Sequence, residues 1–366
     1  MKILLLSTYE KTGGAAIAAQ RLLKALNANG VEATMLCRRN LSWWRGKPQS
    51  WSSIWERAVV FCNTLSRKGL WSVDIANCGQ DVTKTREFRE ADVIHLHWVS
   101  QGFLSLRTIE KIVRSGKRVV WTMHDEWALD TIYHYTYGTE DQQCRMARRV
   151  FEQKHAIYSL GRITFVTCSK WLRDISRRKP LAEGQEVVAI PNCIDANLFR
   201  PIPHERRKRI LFVAQNVNDV RKGMRYLEQV ERMFKEQEGG AKYEFIALGR
   251  DIPYISDVRK MAELYASMDL FVTPSLQDNL PNTIMEAMAC GIPCVGFNVG
   301  GIPEMIDHKV NGYVARYEDA EDLAQGIRYA LDEENHGRLA EAAREKVLRC
   351  YSEEAVAQQY IDCYKS

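Results

Sequence analysis

Short apolar runs alternate with longer stretches of mixed polarity along the whole chain. This is the pattern of buried parallel strands with covering helices. In the first half, Lys2–Ser7 reads as a buried strand that runs into a Gly13-Gly14 loop. A helix is predicted over residues 15–29 and a second strand at Glu32–Cys37. Residues 93–97, 118–122, 163–168 and 187–190 continue the sheet. Pro191-Asn192 begins a turn, and a basic stretch at residues 206–209 leads into a strand at residues 210–215. The pattern then restarts. Lys222-Gly223 opens a helix, residues 243–248 are a strand, residues 257–267 a helix, and Leu270–Thr273 a strand. Cys294–Phe297 and Gly312–Ala315 add two more strands, the second after an Asn-Gly turn. Helices over residues 320–332 and 336–350 and a short helical tail after Ser352 close the chain.

The expected fold class is α/β, with two doubly wound Rossmann-like domains facing a central cleft. Their expected limits are residues 1–200 and 201–350, with residues 351–366 as a helical tail returning to the first domain. Ligands of open parallel sheets bind beyond the carboxyl ends of the strands, and the candidate chemistry of this chain sits at such ends.

The 366 residues suffice for two domains. At 46% hydrophobic and 27% charged the profile is that of a soluble globular chain. No run approaches ~18 apolar residues, so no spanning helix is expected. The apolar start runs straight into a glycine loop without a cleavage site, which reads as a first strand and not a signal peptide. Ten cysteines are scattered singly with no C-x-x-C, so reduced thiols in the cytoplasm are expected and a local zinc site is not. The formal charge of +5 hides an asymmetry: residues 1–200 hold 30 Lys/Arg against 19 Asp/Glu, the remainder 21 against 27. The first half therefore faces something anionic more readily than the second. No nucleic-acid motif is present, so an anionic membrane surface is the better candidate partner.

Residues 274–312 carry the densest chemistry. Asp278 and Glu286 lie eight positions apart, the first in a loop with Pro274, Asn279 and Pro281, the second on the first turns of a helix that Gly291 ends. Two carboxylates then stand over a helix N-terminus with unpartnered amides. Such a site can hold a phosphate on its amides and hydroxyl groups on its carboxylates, the two halves of a sugar nucleotide. A short apolar strand and a second glycine loop, Gly300-Gly301, follow at once.

This segment resembles the donor-site signature of retaining GT-B glycosyltransferases of family 4, which read Glu, seven residues, Glu; Asp278 replaces the first Glu here. The resemblance runs over the whole chain. It implies that Lys222, helped by Arg221 and helix amides, holds the donor diphosphate, that Glu286 holds ribose hydroxyls, and that Asp278 holds hydroxyls of the transferred sugar. The family has Gly-Arg after the strand at residues 210–215, where this chain has Ala214-Gln215. Gly13, Gly14, Gln215, Asn279, Leu280, Pro281, Asn282 and Thr283 are expected around the donor. His124 is expected beside the donor sugar, with Asp125 orienting its ring, and His97 and Trp98 on the acceptor side. Gly300 to Glu304 matches the second glycine loop of the family. Asn192 and Asp195 match a family turn read as packing.

The implied activity is metal-independent, retaining transfer of a hexose from a nucleotide-sugar, UDP-linked in preference to GDP-linked, to a glycan or lipid-linked glycan in cell-surface polysaccharide synthesis. No cofactor is needed, the sugar nucleotide being a co-substrate. His95 and His97 with Asp92 lack a third local metal ligand, and no Asp-x-Asp occurs. A sugar-nucleotide epimerase of the same fold and a non-catalytic scaffold are the competing readings.

Two segments stand apart. Residues 41–72 hold Trp43, Trp44, Trp51, Trp55 and Trp71 with Arg45, Lys47, Arg57, Arg67 and Lys68 against one acid, Glu56. That composition suits a peripheral site on the inner membrane face, or a helical insertion packed on its own domain. In the second segment, residues 133–149, Tyr133, His134, Tyr135 and Tyr137 are candidates for stacking on acceptor sugars.

Overall fold

The structure, a computed structural model, describes residues 1–38, 51–64, 73–134, 144–214, 216–238, 242–253 and 255–366. Gln215, Tyr135, Tyr137, Trp43, Trp44, Trp71, Arg45, Lys47, Arg67 and Lys68 lie outside the described residues. The chain divides into two compact units, Met1–Ile190 with Val356–Ser366, and Pro191–Ala355. The division falls before the expected 200/201 boundary. The cause is local: the Ile194 amide donates to Tyr351 C=O, which ties the Pro191 turn to the second unit.

The first unit is a six-stranded sheet in the order β2-β1-β3-β4-β5-β6, every pairing parallel. Its strands are β1 (Lys2–Ser7), β2 (Glu32–Cys37), β3 (Val93–Leu96), β4 (Arg118–Met123), β5 (Ile163–Thr167) and β6 (Glu186–Ala189). The helices are α1 (Gly14–Ala28), α2 (Trp51–Thr64), α3 (Arg86–Glu90), α4 (Leu106–Arg114), α5 (Arg145–Tyr158) and α6 (Lys170–Ser176). β3 and β5 are buried at every position, as strands covered on both faces must be. α4 shows how sequence makes these helices. Leu106, Thr108, Ile109, Ile112 and Val113 form one buried face, and Ser105 caps the start by accepting from the Thr108 amide.

The second unit has the order β11-β10-β9-β7-β8, again all parallel. It comprises β7 (Arg209–Val213), β8 (Glu244–Leu248), β9 (Leu270–Thr273), β10 (Cys294–Phe297) and β11 (Gly312–Ala315). Its helices are α7 (Met224–Glu238), α8 (Val258–Ala266), α9 (Asn282–Ala289), α10 (Ile302–Met305), α11 (Ala320–Leu331) and α12 (Glu333–Cys350). The strand order reverses between β1 and β3 in the first sheet and between β7 and β9 in the second. The loops after those strands diverge to opposite faces and open a crevice, the place where ligands of such sheets bind.

The last helix, α13 (Glu353–Lys365), belongs from Val356 onward to the first unit. Tyr360 and Tyr364 are buried there. The Tyr364 hydroxyl bonds His95 Nδ1 (2.7 Å), His95 Nε2 bonds Thr122 Oγ1 (2.7 Å), and Thr122 bonds the Tyr360 hydroxyl (2.9 Å). Burial drives His95 down to about 3, so this chain of bonds is neutral. His95 is thereby placed as an anchor of α13 under the sheet. Tyr364→Phe should leave a buried imidazole nitrogen without a partner, at a cost of about 1–3 kcal/mol. Urea denaturation checks this, and an unchanged midpoint would show that the bond does not hold α13.

Candidate functional site

In the second unit, the turn after β7 and the loop after β9 meet. Asp219 caps a single helical turn, Val220–Lys222, and Gly223 follows with φ 70. α7 begins only at Met224. The sequence places Lys222 at the opening of this helix; in the structure it ends a separate tight turn, and the left-handed Gly223 divides the two. The Lys222 ammonium lies 2.6 Å from Asp278 Oδ2. Arg221 reaches Asp219 at 2.7 Å, so both cations of the turn start from carboxylate partners.

Glu286 sits in the second turn of α9, half-buried. Beside it is the fully buried Tyr265 of α8. Burial first, and the Glu286 charge second, lift that phenol well above its usual range. Asn192 Nδ2 donates to Asn282 Oδ1 at 3.1 Å and so pins the first residue of α9. Leu280 and Pro281 are buried and Asn279 is 8% exposed, whereas Asn282 and Thr283 are half-exposed. The apolar pair thus seats the loop, leaving the helix start at Asn282 and Thr283 accessible. Tyr265 and Asn192 are contacts that the sequence reading did not assign to this site. A buried aromatic in the helix before β9, one helix ahead of the acidic motif, is the only sequence signal of the first.

In the first unit, Gly13 (φ 90) ends the loop after β1 and Gly14 starts α1. The Thr8 amide donates to Trp98 C=O (2.8 Å) and Tyr9 stacks on Trp98, so the ends of β1 and β3 are joined. His97, Trp98, Ser100, His124 and Asp125 line one small pocket. His97 is nonetheless buried, its Nδ1 3.2 Å from His124 Nε2, while His124 Nδ1 faces Cys168 Sγ at 3.7 Å. Burial pushes His124 down to about 4 and His97 well below its ordinary value, so both imidazoles are neutral. His97 supports His124 from beneath, and Trp98 keeps the half-exposed position.

Asp125 does not orient His124. Its carboxylate accepts from Trp98 Nε1 (2.9 Å), His134 Nδ1 (2.7 Å) and the Trp127 amide (3.0 Å). His134 is held on its other side by Asp74 (3.2 Å) and is 7% exposed, which removes it from any stacking role. Burial opposes the His134 charge, but Asp125 and Asp74 outweigh it and push the imidazole up to about 10.

The network extends into α2. Arg57 bonds Asp74 (3.0 Å) and Val73 C=O, and Glu56, fully buried, accepts from the Ile75 and Ala76 amides. Arg57 and Glu56 therefore point inward and are not part of a basic surface. Ile54, Trp55 and Phe61, at 49%, 60% and 40% exposure, form the outer side of the helix. Among the described residues no cluster of three or more His, Cys, Asp or Glu could hold a metal ion, and no helix is long and apolar enough to cross a membrane.

Residues 12–198 match the Glycosyltransferase Family 4 model and residues 205–333 match Glycosyl transferases group 1. The chain belongs to this glycosyltransferase family. N-acetyl-alpha-D-glucosaminyl L-malate synthase of Bacillus anthracis is 41% identical over 105 residues, a match of 28% of this chain and 28% of that one. The putative colanic acid biosynthesis glycosyltransferase WcaL of Escherichia coli K12 is 23% identical, over 78% of this chain and 72% of its own. HepE of Anabaena, solved with UDP and glucose, superposes with a TM-score of 0.59 at 16% identity, covering 100% of both chains. Its likeness is that of the GT-B fold.

The buried His134 makes stability depend on pH. Its folded value, about 10, exceeds the ordinary 6.5, so its contribution is complete below about 6.5 and is lost as pH rises towards 10. Between about pH 7.5 and 9.5 the wild-type chain should lose denaturation free energy, and His134→Gln should lose markedly less. Equal slopes in urea titrations of the two proteins would contradict the assignment.

Proposed function

We propose that the chain transfers a sugar, with retention and without a metal ion, from a nucleotide-sugar to a glycan or lipid-linked glycan acceptor in surface-polysaccharide synthesis. The observation that carries this reading is the Lys222–Asp278 ion pair at the carboxyl ends of the two strands that flank the order reversal of the second sheet, with Glu286 on the helix that follows. Family membership supports it. WcaL carries colanic acid biosynthesis in its name, and HepE was solved with UDP, which favours a UDP-sugar. The relatives' names favour transfer over the epimerase and scaffold readings.

In this reading Lys222, with Arg221 and amides near the start of α9, takes the diphosphate, Glu286 the ribose and Asp278 the transferred sugar. The first unit takes the acceptor near Trp98. The acceptor hydroxyl attacks the anomeric carbon from the face the diphosphate leaves. The departing phosphate oxygen takes its proton, and the anomeric C–O bond to phosphate breaks as the new one forms. The protein contributes position and charge stabilisation of the leaving diphosphate.

Turnover against a panel of UDP- and GDP-sugars tests the reading, and it should continue in chelator. Complete loss in chelator, restored by a divalent cation, rules out metal independence. Lys222→Ala should slow turnover by about 10- to 1000-fold, the effect of leaving a phosphate charge unpaired. An unchanged rate removes Lys222 from the reaction.

The exposed Ile54, Trp55 and Phe61 of α2 and the positive balance of the first half support docking on an anionic membrane surface from the cytoplasmic side. Liposome sedimentation should show binding to anionic vesicles that salt weakens and that Trp55→Ala reduces several-fold. Equal binding to neutral and anionic vesicles, or none to either, excludes it.

A further inference from the structure

The Lys222–Asp278 pair is mounted on interlocked backbone. The Leu276 amide donates to Arg221 C=O at 2.6 Å, which bonds the loop after β9 to the turn that carries Lys222. A Cβ at Gly223 would overlap the Pro274 carbonyl, so that turn and loop approach as closely as glycine allows. On the other side the Gly301 amide donates to Asp278 C=O at 3.2 Å, and a Cβ at Gly300 (φ 59) would overlap the same carbonyl. Three loops thus fix both Cα positions, and the two side chains, 32% and 15% exposed, meet in a partly desolvated place. A pair held this way loses little side-chain entropy on forming and is screened less than one on an open surface.

From this geometry we propose that Asp278 serves as an internal anion for Lys222, so that the site grips a nucleoside diphosphate firmly only when a sugar is attached. The inference rests on the donor-site reading above and adds a specificity role to Asp278. A bare diphosphate must take Lys222 away from Asp278 and leave that carboxylate unpaired beside phosphate charge. Removing one partner of a close charge pair is costly because the other stays behind unpaired. A sugar nucleotide makes the same exchange but offers hydroxyl donors to Asp278, which compensate the carboxylate for the ammonium it gives up. After transfer the sugar is gone, the compensation is gone, and Asp278 retakes Lys222. The pair therefore disfavours the spent diphosphate relative to the donor, although both carry the same phosphates.

Calorimetry on the full chain tests this with UDP or GDP, whichever the wild-type protein binds. Asp278→Asn keeps the size of the side chain and removes its charge; it should bind the bare diphosphate about 5- to 30-fold more tightly, corresponding to a partly buried pair of roughly 1–2 kcal/mol at 1.4 kcal/mol per tenfold. Asp278→Ser should show the same direction and guards against a fold defect peculiar to one variant. Lys222→Gln should weaken binding. In the Lys222→Gln background the gain from Asp278→Asn should shrink to less than about 2-fold, because no pair remains to be broken. Unchanged or weaker diphosphate binding in both Asp278 variants overturns the proposal. So does a full gain that persists without Lys222, which would mean simple repulsion. If the wild-type chain binds neither diphosphate, the donor-site reading falls and this inference falls with it. Wild-type binding without a gain in the variants sinks the inference alone.

Discussion

Every strand in both sheets runs parallel to its neighbours. A parallel strand cannot be joined to the next by a tight hairpin, so each must be followed by a crossover. All the carboxyl ends then collect at one edge of each sheet. The order reversals, β1 against β3 and β7 against β9, send adjacent connections to opposite faces at two places only. The candidate chemistry hangs from those places: Gly13 and Trp98 after β1 and β3, Lys222 and Asp278 after β7 and β9. The apolar cores beneath, such as Leu4, Leu6, Ile94 and Trp121 in the first unit and Phe212, Val272 and Val295 in the second, hold the strand ends in register.

Charge is handled in two ways on these similar scaffolds. The first unit buries its ionisable groups, so each takes the protonation state that its neighbours support. His134 between Asp74 and Asp125 is held at about 10, whereas His124, bonded to His97 and Cys168 and, among the described residues, to no carboxylate, is pushed by burial down to about 4. The same ring has opposite protonation at neutral pH because desolvation disfavours the charged form and only an adjacent carboxylate can reverse that. The resulting network is a frame: it fixes Trp98 through Asp125 and α2 through Arg57. In the second unit Lys222 and Asp278 stay partly solvated. Such a pair can be opened by a ligand with charges and hydroxyls of its own, which a buried network cannot.

Much of the fold was legible as pattern. Lys2–Ser7, Leu270–Thr273, Cys294–Phe297 and Gly312–Ala315 fall where the apolar runs place them, because strands buried on both faces read as continuous apolar segments; Glu32–Cys37, at the edge and partly exposed, falls at its expected place too. The pattern puts Lys222 on a helix because nothing in the sequence shows that Gly223 takes a left-handed turn before α7. α4, α5 and α6 do not stand out between the strands. α4 had a signal, apolar positions at helical spacing from Leu106 to Val113, obscured by its Arg, Glu and Lys residues.

What the sequence determined by itself is local: the alternation of strands and helices, the glycine turns, and two carboxylates spaced so that one precedes a helix and one rides on it. Those properties depend on residues a few positions apart and can be read without the rest of the chain. What only the tertiary structure decided is partnership. Asp278 meets Lys222 from 56 residues away, Asn282 meets Asn192 from 90, and Asp125 turns from the neighbouring His124 to His134. Arg57 and Glu56, basic and acidic surface residues by composition, were drawn inside by Asp74 and by the amides of Ile75 and Ala76. A polar or charged side chain goes where its desolvation is best compensated, and the compensating groups are placed by the sheet order, not by the sequence beside them.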